Sequence, residues 1–293
     1  MKKCALLLFP FILIACTTKE NKKDNTITDQ LMMQSKIKGE GKPLVLVPGG
    51  LTGWVSWNPF VDSFATSRKV VQVQLLNVEY GLENKPLPEG YSVRTESEAL
   101  AASLVSNVNE KADFIGWSYG GLVLLDYALN HPENIHTLTL IEPPALWILK
   151  NNGALDEDAK KMVNFLAFVP GDKKEVTEDD LEKFLEFAGF TKPGEPARQL
   201  PQWNTWIKFR QSLRNNPAVN AHRDENIRLK GITYPVLLVK GTGSARFLHQ
   251  IIDACASEIP NAKVVEFPGG HAPHIVSKDE FLKAIDSLYS TVK

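Results

Sequence analysis

The sequence predicts an α/β fold, a mostly parallel, doubly wound sheet with an inserted helical cap, and three observations predict it. Short apolar runs alternate with helix-length segments along most of the chain. The runs are apolar on both faces, as strands covered by helices on both sides of a sheet must be. One stretch, residues 145–228, breaks the alternation and holds only helical patterns, such as DEDAKKMVNFLAFV and TEDDLEKFLEFAGF, between Pro- and Gly-rich joints.

The amino terminus stands apart from this alternation. Met1-Lys2-Lys3 is a short basic region, followed by the apolar run from Ala5 to Ala15, then Cys16 and the polar stretch TTKENKKDN. This is the pattern of a secretory signal, and its apolar run is too short to span a bilayer as a permanent helix. Leu13-Ile14-Ala15-Cys16 resembles the lipobox of bacterial lipoproteins, in which the cysteine becomes the lipidated first residue; a plain signal peptide cleaved nearby is the alternative. The resemblance implies a signal peptide over 1–16 and lipidation of Cys16. It also implies a lipid anchor carrying acyl chains such as palmitate, and a place on the membrane of the bacterial cell envelope. Thr17 after the cysteine, where an aspartate is absent, leans the assignment toward the outer membrane.

Residues 17–36 read as a polar tether, with Lys22, Lys23 and Asp24 offering little to bury. The core occupies 37–144 and 229–293. Its strands are Leu44–Val47, ending at Pro48-Gly49-Gly50; Val70–Leu76; Ala112–Gly116; His136–Ile141; Pro235–Lys240; and Lys263–Phe267. Helices fall between them at Trp57–Thr66, Thr95–Asn109, Tyr119–Asn130, Ser244–Glu258 and Lys278–Tyr289. The aromatics of the cap (Phe165, Phe168, Phe184, Phe187, Trp203, Trp206, Phe209) are at helical spacing and read mostly as cap packing, with one or two facing a cavity.

Composition narrows the function. The 293 residues are 43% hydrophobic and 23% charged with a net charge of −1, and nothing concentrates Lys and Arg into a nucleic-acid-tracking face. Of the 3 cysteines, Cys4 leaves with the signal and Cys16 carries lipid, so Cys255 remains alone in the apolar helical pattern IIDACASEI. A disulfide framework is excluded, and Cys255 reads as a core residue. No Cys/His cluster has zinc spacing, so neither a metal nor another cofactor is expected.

The chemistry centres on Gly116-Trp117-Ser118-Tyr119-Gly120, a G-x-S-x-G motif with a strand before it and a helix after it. Such a turn crowds two backbones, needs residues without Cβ at its flanks, and lifts the serine hydroxyl above the sheet. At this point the chain resembles the α/β-hydrolase family over nearly all of its mature length. The resemblance implies Ser118 as nucleophile and an oxyanion site formed by the backbone N–H of Tyr119 with that of Gly50, or of Leu51 as runner-up. Proline 48 stands where many relatives carry histidine, which matters little because the donor is a backbone group. Phe267-Pro268-Gly269-Gly270-His271 matches the family's terminal histidine, with His274 as a rival; His131, His136, His222 and His249 have weaker placements.

The acid departs from the family pattern. Most relatives place an aspartate after the strand that corresponds to PVLLV, yet here the stretch is Gly241-Thr242-Gly243-Ser244. Glu142 closes the strand HTLTLI ahead of Pro143-Pro144, and some relatives keep their acid at that strand end. The chain order Ser118, Glu142, His271 also agrees with serine, acid, histidine. Asp253 and Glu258 are weaker candidates, and a purely structural Glu142 is the competing reading. The expected activity is hydrolysis of a small-molecule carboxylic ester or related acyl substrate through a Ser-His-Glu triad. Lactonase, thioesterase, aminopeptidase, carbon–carbon bond hydrolase and a catalytically weakened ligand-binding relative are the alternatives.

Overall fold

The computed structural model describes residues 31–168, 175–191 and 194–292. The signal and lipidation readings at residues 1–16, Cys16 included, and most of the tether lie outside the described residues. No helix among the described residues is long and apolar enough to cross a membrane.

Among the described residues seven strands form one sheet: β1 (Ser35–Lys38), β2 (Lys42–Val47), β3 (Arg68–Val73), β4 (Ala112–Trp117), β5 (Ile135–Ile141), β6 (Val236–Gly241) and β7 (Ala262–Phe267). Their spatial order is β1-β3-β2-β4-β5-β6-β7. Every pairing is parallel except that of β1 with β3. Alternation along β2 explains the two-sided burial. Leu44 and Leu46 pack with Trp57, Phe60, Phe64, Phe281 and Ile285 on one face. Val45 and Val47 pack with residues such as Leu100, Leu122 and Ile251 on the other. Each such fully buried aliphatic side chain contributes about 1.5–3 kcal/mol, so helices on both faces are what make the strands stable.

Two local departures from the sequence reading have clear physical causes. The end of the stretch read as tether is built into the fold: Met33 is buried, its N–H donates to Ser103 Oγ at 2.5 Å, and Ser35–Lys38 adds an antiparallel edge strand. An edge strand with three of its four residues exposed carries no apolar period to betray it. The second apolar run stops at Val73, and Leu76–Leu82 is helical. The Glu96 carboxyl group accepts the N–H groups of Leu76 and Asn77, both at 2.9 Å, and so caps that helix from a distant part of the chain.

Between β5 and β6 the chain forms a helical insertion whose α-helices are Leu146–Asn151, Glu157–Phe168, Glu178–Phe187, Trp203–Phe209 and Asn216–Ala221. Leu146–Leu149 still belong to the main core, whereas Val176, Leu181, Leu185, Ala197 and Leu213 form a separate apolar cluster that takes in Leu51 of the sheet domain. The insertion therefore sits over the carboxyl ends of the strands, where an open α/β sheet offers its crevice.

Candidate active site

The site is assembled by the ends of four neighbouring strands, β4 to β7. β4 ends at Trp117, Ser118 adopts φ 53° and ψ −124°, and the helix Tyr119–Asn130 begins at the next residue. Glycine at 120 is obligatory, since a Cβ there would lie 2.2 Å from the Pro48 carbonyl oxygen and 2.8 Å from that of Val47. The ladder continues past the strands. Ser118 N–H donates to Ile141 O at 2.8 Å, and Glu142 N–H donates to Val239 O at 3.1 Å. Among the described residues, Asn84, Ser118 and Glu142 are the non-glycines with positive φ. Such a conformation costs about 1–3 kcal/mol and persists where surrounding structure imposes it.

These strand ends bring Ser118, His271 and Glu142 together. Ser118 Oγ lies 2.8 Å from His271 Nε2. His271 Nδ1 lies 2.7 Å from Glu142 Oε2. The other carboxylate oxygen, Oε1, accepts the Gly241 N–H at 2.7 Å. An ionised carboxylate only accepts hydrogen bonds, so the imidazole proton belongs on Nδ1, leaving Nε2 as the acceptor for the serine hydroxyl. Glu142 is fully buried and His271 4% exposed, which shields the pair from competing water. Trp117 Nε1–H donates to the His271 carbonyl at 2.7 Å, so the strand that presents Ser118 also anchors the histidine loop.

The competing candidates lie elsewhere. Ser244 Oγ has no hydrogen-bond partner among the described residues. Asp253 pairs with Lys240 at 2.9 Å, and Glu258 faces Lys230 at 3.8 Å. His274 is enclosed by the rings of Trp57, Phe60, Trp117 and Phe281, with neither ring nitrogen partnered among the described residues. Burial, together with the neighbouring His271, pushes its pKa down to about 3, so it stays neutral. His136 pairs with Asp113 at 2.8 Å, and His249 Nε2 meets the Gly241 carbonyl at 2.7 Å. His131 and His222 lie near Glu98 and Asp126 at 3.6 and 3.7 Å. Cys255 is buried, and burial pushes its thiol up to about 12, which removes it as a nucleophile.

Ser118 and His271 open into a cavity under the insertion. Its walls are mainly apolar, with Leu51, Met162, Leu166, Phe190, Val219 and Phe247 prominent. Gly50 and Tyr119 line it too, and no backbone hydrogen bond uses the N–H of either residue or of Leu51 among the described residues. Two cap residues, Asn215 and Asn216, also reach the cavity, and sequence reasoning passed over both. Asn-Asn-Pro in a stretch of short helical turns carries no signal that would have singled them out.

Comparison with known proteins agrees with this architecture. The model of the alpha/beta hydrolase fold family matches residues 42–278. The chain belongs to the α/β-hydrolase family and, as such, is an esterase-like hydrolase. A pimeloyl-[acyl-carrier protein] methyl ester esterase of Aeromonas hydrophila is 28% identical over 256 residues, covering 85% of this chain and 95% of that protein. A 2-hydroxymuconate semialdehyde hydrolase of Pseudomonas sp. is 30% identical over 106 residues, 35% of this chain and 37% of that protein. Among solved structures, MenH from S. aureus superposes with a TM-score of 0.67 at 20% identity, covering 89% of this chain and 99% of that one. An esterase from Exiguobacterium antarcticum gives 0.67 at 17% identity, covering 87% and 94%.

The enclosed His274 generates a prediction about stability. As pH falls below about 6.5, the unfolded chain takes up a proton at this histidine that the folded chain refuses until about pH 3. Stability is therefore lost progressively across that window, by up to about 1.4 kcal/mol per pH unit. His274→Phe keeps an aromatic ring among Trp57, Phe60 and Phe281 and removes the titration. Denaturant unfolding at about pH 7.5 and about pH 5 should show the variant losing roughly 2 kcal/mol less than the parent. Equal losses would place the acid sensitivity in another group.

Proposed function

We propose that the chain hydrolyses a small-molecule carboxylic ester or related acyl substrate, with Ser118 as nucleophile, His271 as general base and Glu142 as the triad acid. The observation that carries this reading is the continuous hydrogen-bonded line Glu142–His271–Ser118, ending at a largely apolar cavity. In the first step Ser118 Oγ attacks the substrate carbonyl carbon while its proton passes to His271 Nε2. The imidazolium is held by Glu142 Oε2, and the developing oxyanion accepts the N–H groups of Tyr119 and Gly50. His271 then returns the proton to the leaving alcohol, which departs with the bonding pair and leaves an acyl-serine. Water, deprotonated by His271, attacks the acyl carbon. Collapse of that second intermediate releases the acid and restores Ser118 with its proton. The Aeromonas relative named as a methyl ester esterase supports the ester class, because its likeness runs over most of both chains.

Glu142 serves in this scheme from the strand next to the usual one. β5 and β6 are paired, so the Gly241 N–H that opens the customary acid loop lies beside the Glu142 carboxylate. The extra methylene of glutamate over aspartate gives the side chain the reach from one strand further away. The proposal extends to placement: the basic start, apolar run and lipobox-like Leu13–Cys16 support a lipid-anchored protein of the bacterial cell envelope.

Three measurements test this reading. A fluorophosphonate probe should label the folded protein and spare Ser118→Ala; an unlabelled parent would sink the hydrolase mechanism. Glu142→Gln should lower kcat roughly 10³- to 10⁴-fold, because the Gly241 N–H orients the new amide with its oxygen inward and its NH₂ toward His271 Nδ1. That arrangement forces the proton onto Nε2, the tautomer that cannot accept from serine. Ser244→Ala should leave turnover nearly unchanged, and the reverse ranking would move the acid elsewhere. Finally, cells expressing the full chain should incorporate radiolabelled palmitate into the protein and lose the label in Cys16→Ala. An unlabelled parent would remove the anchor.

A further inference from the structure

Two hydrogen-bonded branches run from one buried carboxylate to Gly50 and Tyr119, the two residues whose N–H groups face the oxyanion in the mechanism above. Glu96 and Asn77 are both fully buried. Glu96 Oε2 accepts the Leu76 N–H and Oε1 the Asn77 N–H, both at 2.9 Å. Oε1 also accepts the Tyr91 hydroxyl, at 2.5 Å. A buried carboxylate is costly without donors, and three converging on it hold the donor residues in one arrangement. Glu96, Asn77 and Tyr91 do not line the cavity above Ser118, so any part they play in turnover passes through their neighbours.

The first branch passes through Asn77. Its Nδ2 donates to Gly50 O at 2.7 Å and to Ser212 O at 3.0 Å. Both partners are carbonyl oxygens, which only accept, so the amide can stand only with its nitrogen toward them. Its two N–H bonds are thus divided between the loop after β2 and the cap. The helix carrying Asn77 has little play, since a Cβ on Gly81 would lie 2.7 Å from Ser212 N. The second branch passes through Tyr91, whose hydroxyl lies 2.8 Å from that of Tyr119. The single Tyr91 proton goes to Glu96, so Tyr119 is the donor at this contact. The branches meet again at the site. A Cβ on Gly50 would stand 3.0 Å from Tyr119 Cβ and 3.1 Å from its Cδ1, so the backbone of one packs against the side chain of the other.

We propose that Glu96, Asn77 and Tyr91 are positioning residues for the oxyanion site, setting the separation of Gly50 and Tyr119 so that both N–H groups reach one carbonyl oxygen. Two donors stabilise an oxyanion together only if each lies about 2.7–3.1 Å from the place it will occupy. Gly50 belongs to a loop and Tyr119 to a helix start, and a loop and a helix start that shift independently lose that preorganisation. The closed path from Glu96 through Asn77 to Gly50, across to Tyr119 and back through Tyr91 removes the independence. The same Asn77 amide ties the Ser212 turn of the cap to that spacing.

This inference rests on the ester-hydrolase reading, and one kinetic comparison separates the two. On the full chain, kcat and KM are measured with p-nitrophenyl esters of straight-chain acids. Inhibition by an alkyl trifluoromethyl ketone, whose adduct with Ser118 carries an oxyanion, is measured beside them. Asn77→Ala should lower kcat about 10- to 100-fold and Tyr91→Phe about three- to tenfold, less than outright loss of an oxyanion donor. KM should stay within about twofold, and ketone binding should weaken by the same factor as kcat/KM, because the lost interaction exists only once charge forms on oxygen. Thr137→Val removes a buried hydrogen bond to Asp113, 2.7 Å long, toward the start of β5 and away from the site. It controls for lost stability and should leave kcat and ketone binding unchanged. Tyr91→Phe carries the test alone if Asn77→Ala does not fold. An unchanged kcat in folded Tyr91→Phe, a loss of kcat without matching loss of ketone binding, or an equal loss in Thr137→Val overturns the positioning role alone. No turnover of any ester by the parent overturns the hydrolase reading beneath it.

Discussion

The hydrogen bond between His271 and Glu142 is the constraint on which the geometry of the site depends, and it spans three strands. Glu142 extends β5, its second oxygen takes the N–H of Gly241, the last residue of β6, and its partner histidine sits on the loop after β7. A buried carboxylate needs such partners, because removing it from water with an oxygen unsatisfied costs several kcal/mol. The two short contacts therefore hold the Glu142 carboxylate, and with it the His271 ring, in line with Ser118. The positive φ of Ser118 and of Glu142 shows the same requirement at the backbone, since the sheet holds both residues where their side chains must converge.

The insertion completes the site by controlling what can lie above Ser118. Its inner wall is mainly apolar, which favours apolar parts of a ligand over water. Two of its attachments to the sheet domain differ in character. One is the apolar cluster that includes Leu51, and the other is the pair of hydrogen bonds from Asn77 to Gly50 and Ser212. Apolar packing sets an approximate position, whereas hydrogen bonds to backbone carbonyls fix the distance between the Gly50 loop and the turn that carries Ser212.

Particular elements show why some features were readable and others were not. The helix Tyr119–Asn130 matches its sequence reading at both ends, because the glycine-flanked serine opens it and His131-Pro132 closes it. The apolar run through Leu76 looked like one strand because apolarity alone does not distinguish a buried strand from the buried start of a helix. Glu96, twenty residues away in sequence, made that choice by capping Leu76 and Asn77. Ser35–Lys38 escaped notice because an exposed edge strand shares the composition of a polar tether. His274 and His271 sit in one loop with similar neighbours, and only the enclosing rings of Trp57, Phe60, Trp117 and Phe281 separate a buried imidazole from one that faces the cavity.

By itself the sequence determined the class of fold, the serine turn, the glycine-rich histidine loop and the one strand-end carboxylate in the right chain order. Those are local facts, set by periodicity of two or 3.6 and by residues without Cβ where backbones meet. Only the tertiary structure decided that Glu142 reaches His271, that the Ser244 hydroxyl has no hydrogen-bond partner among the described residues, and that Asn215 and Asn216 line the cavity. The physical reason is the distance along the chain: His271 and Glu142 are 129 residues apart. Whether such groups meet is settled by strand order and register, which no stretch of sequence encodes alone.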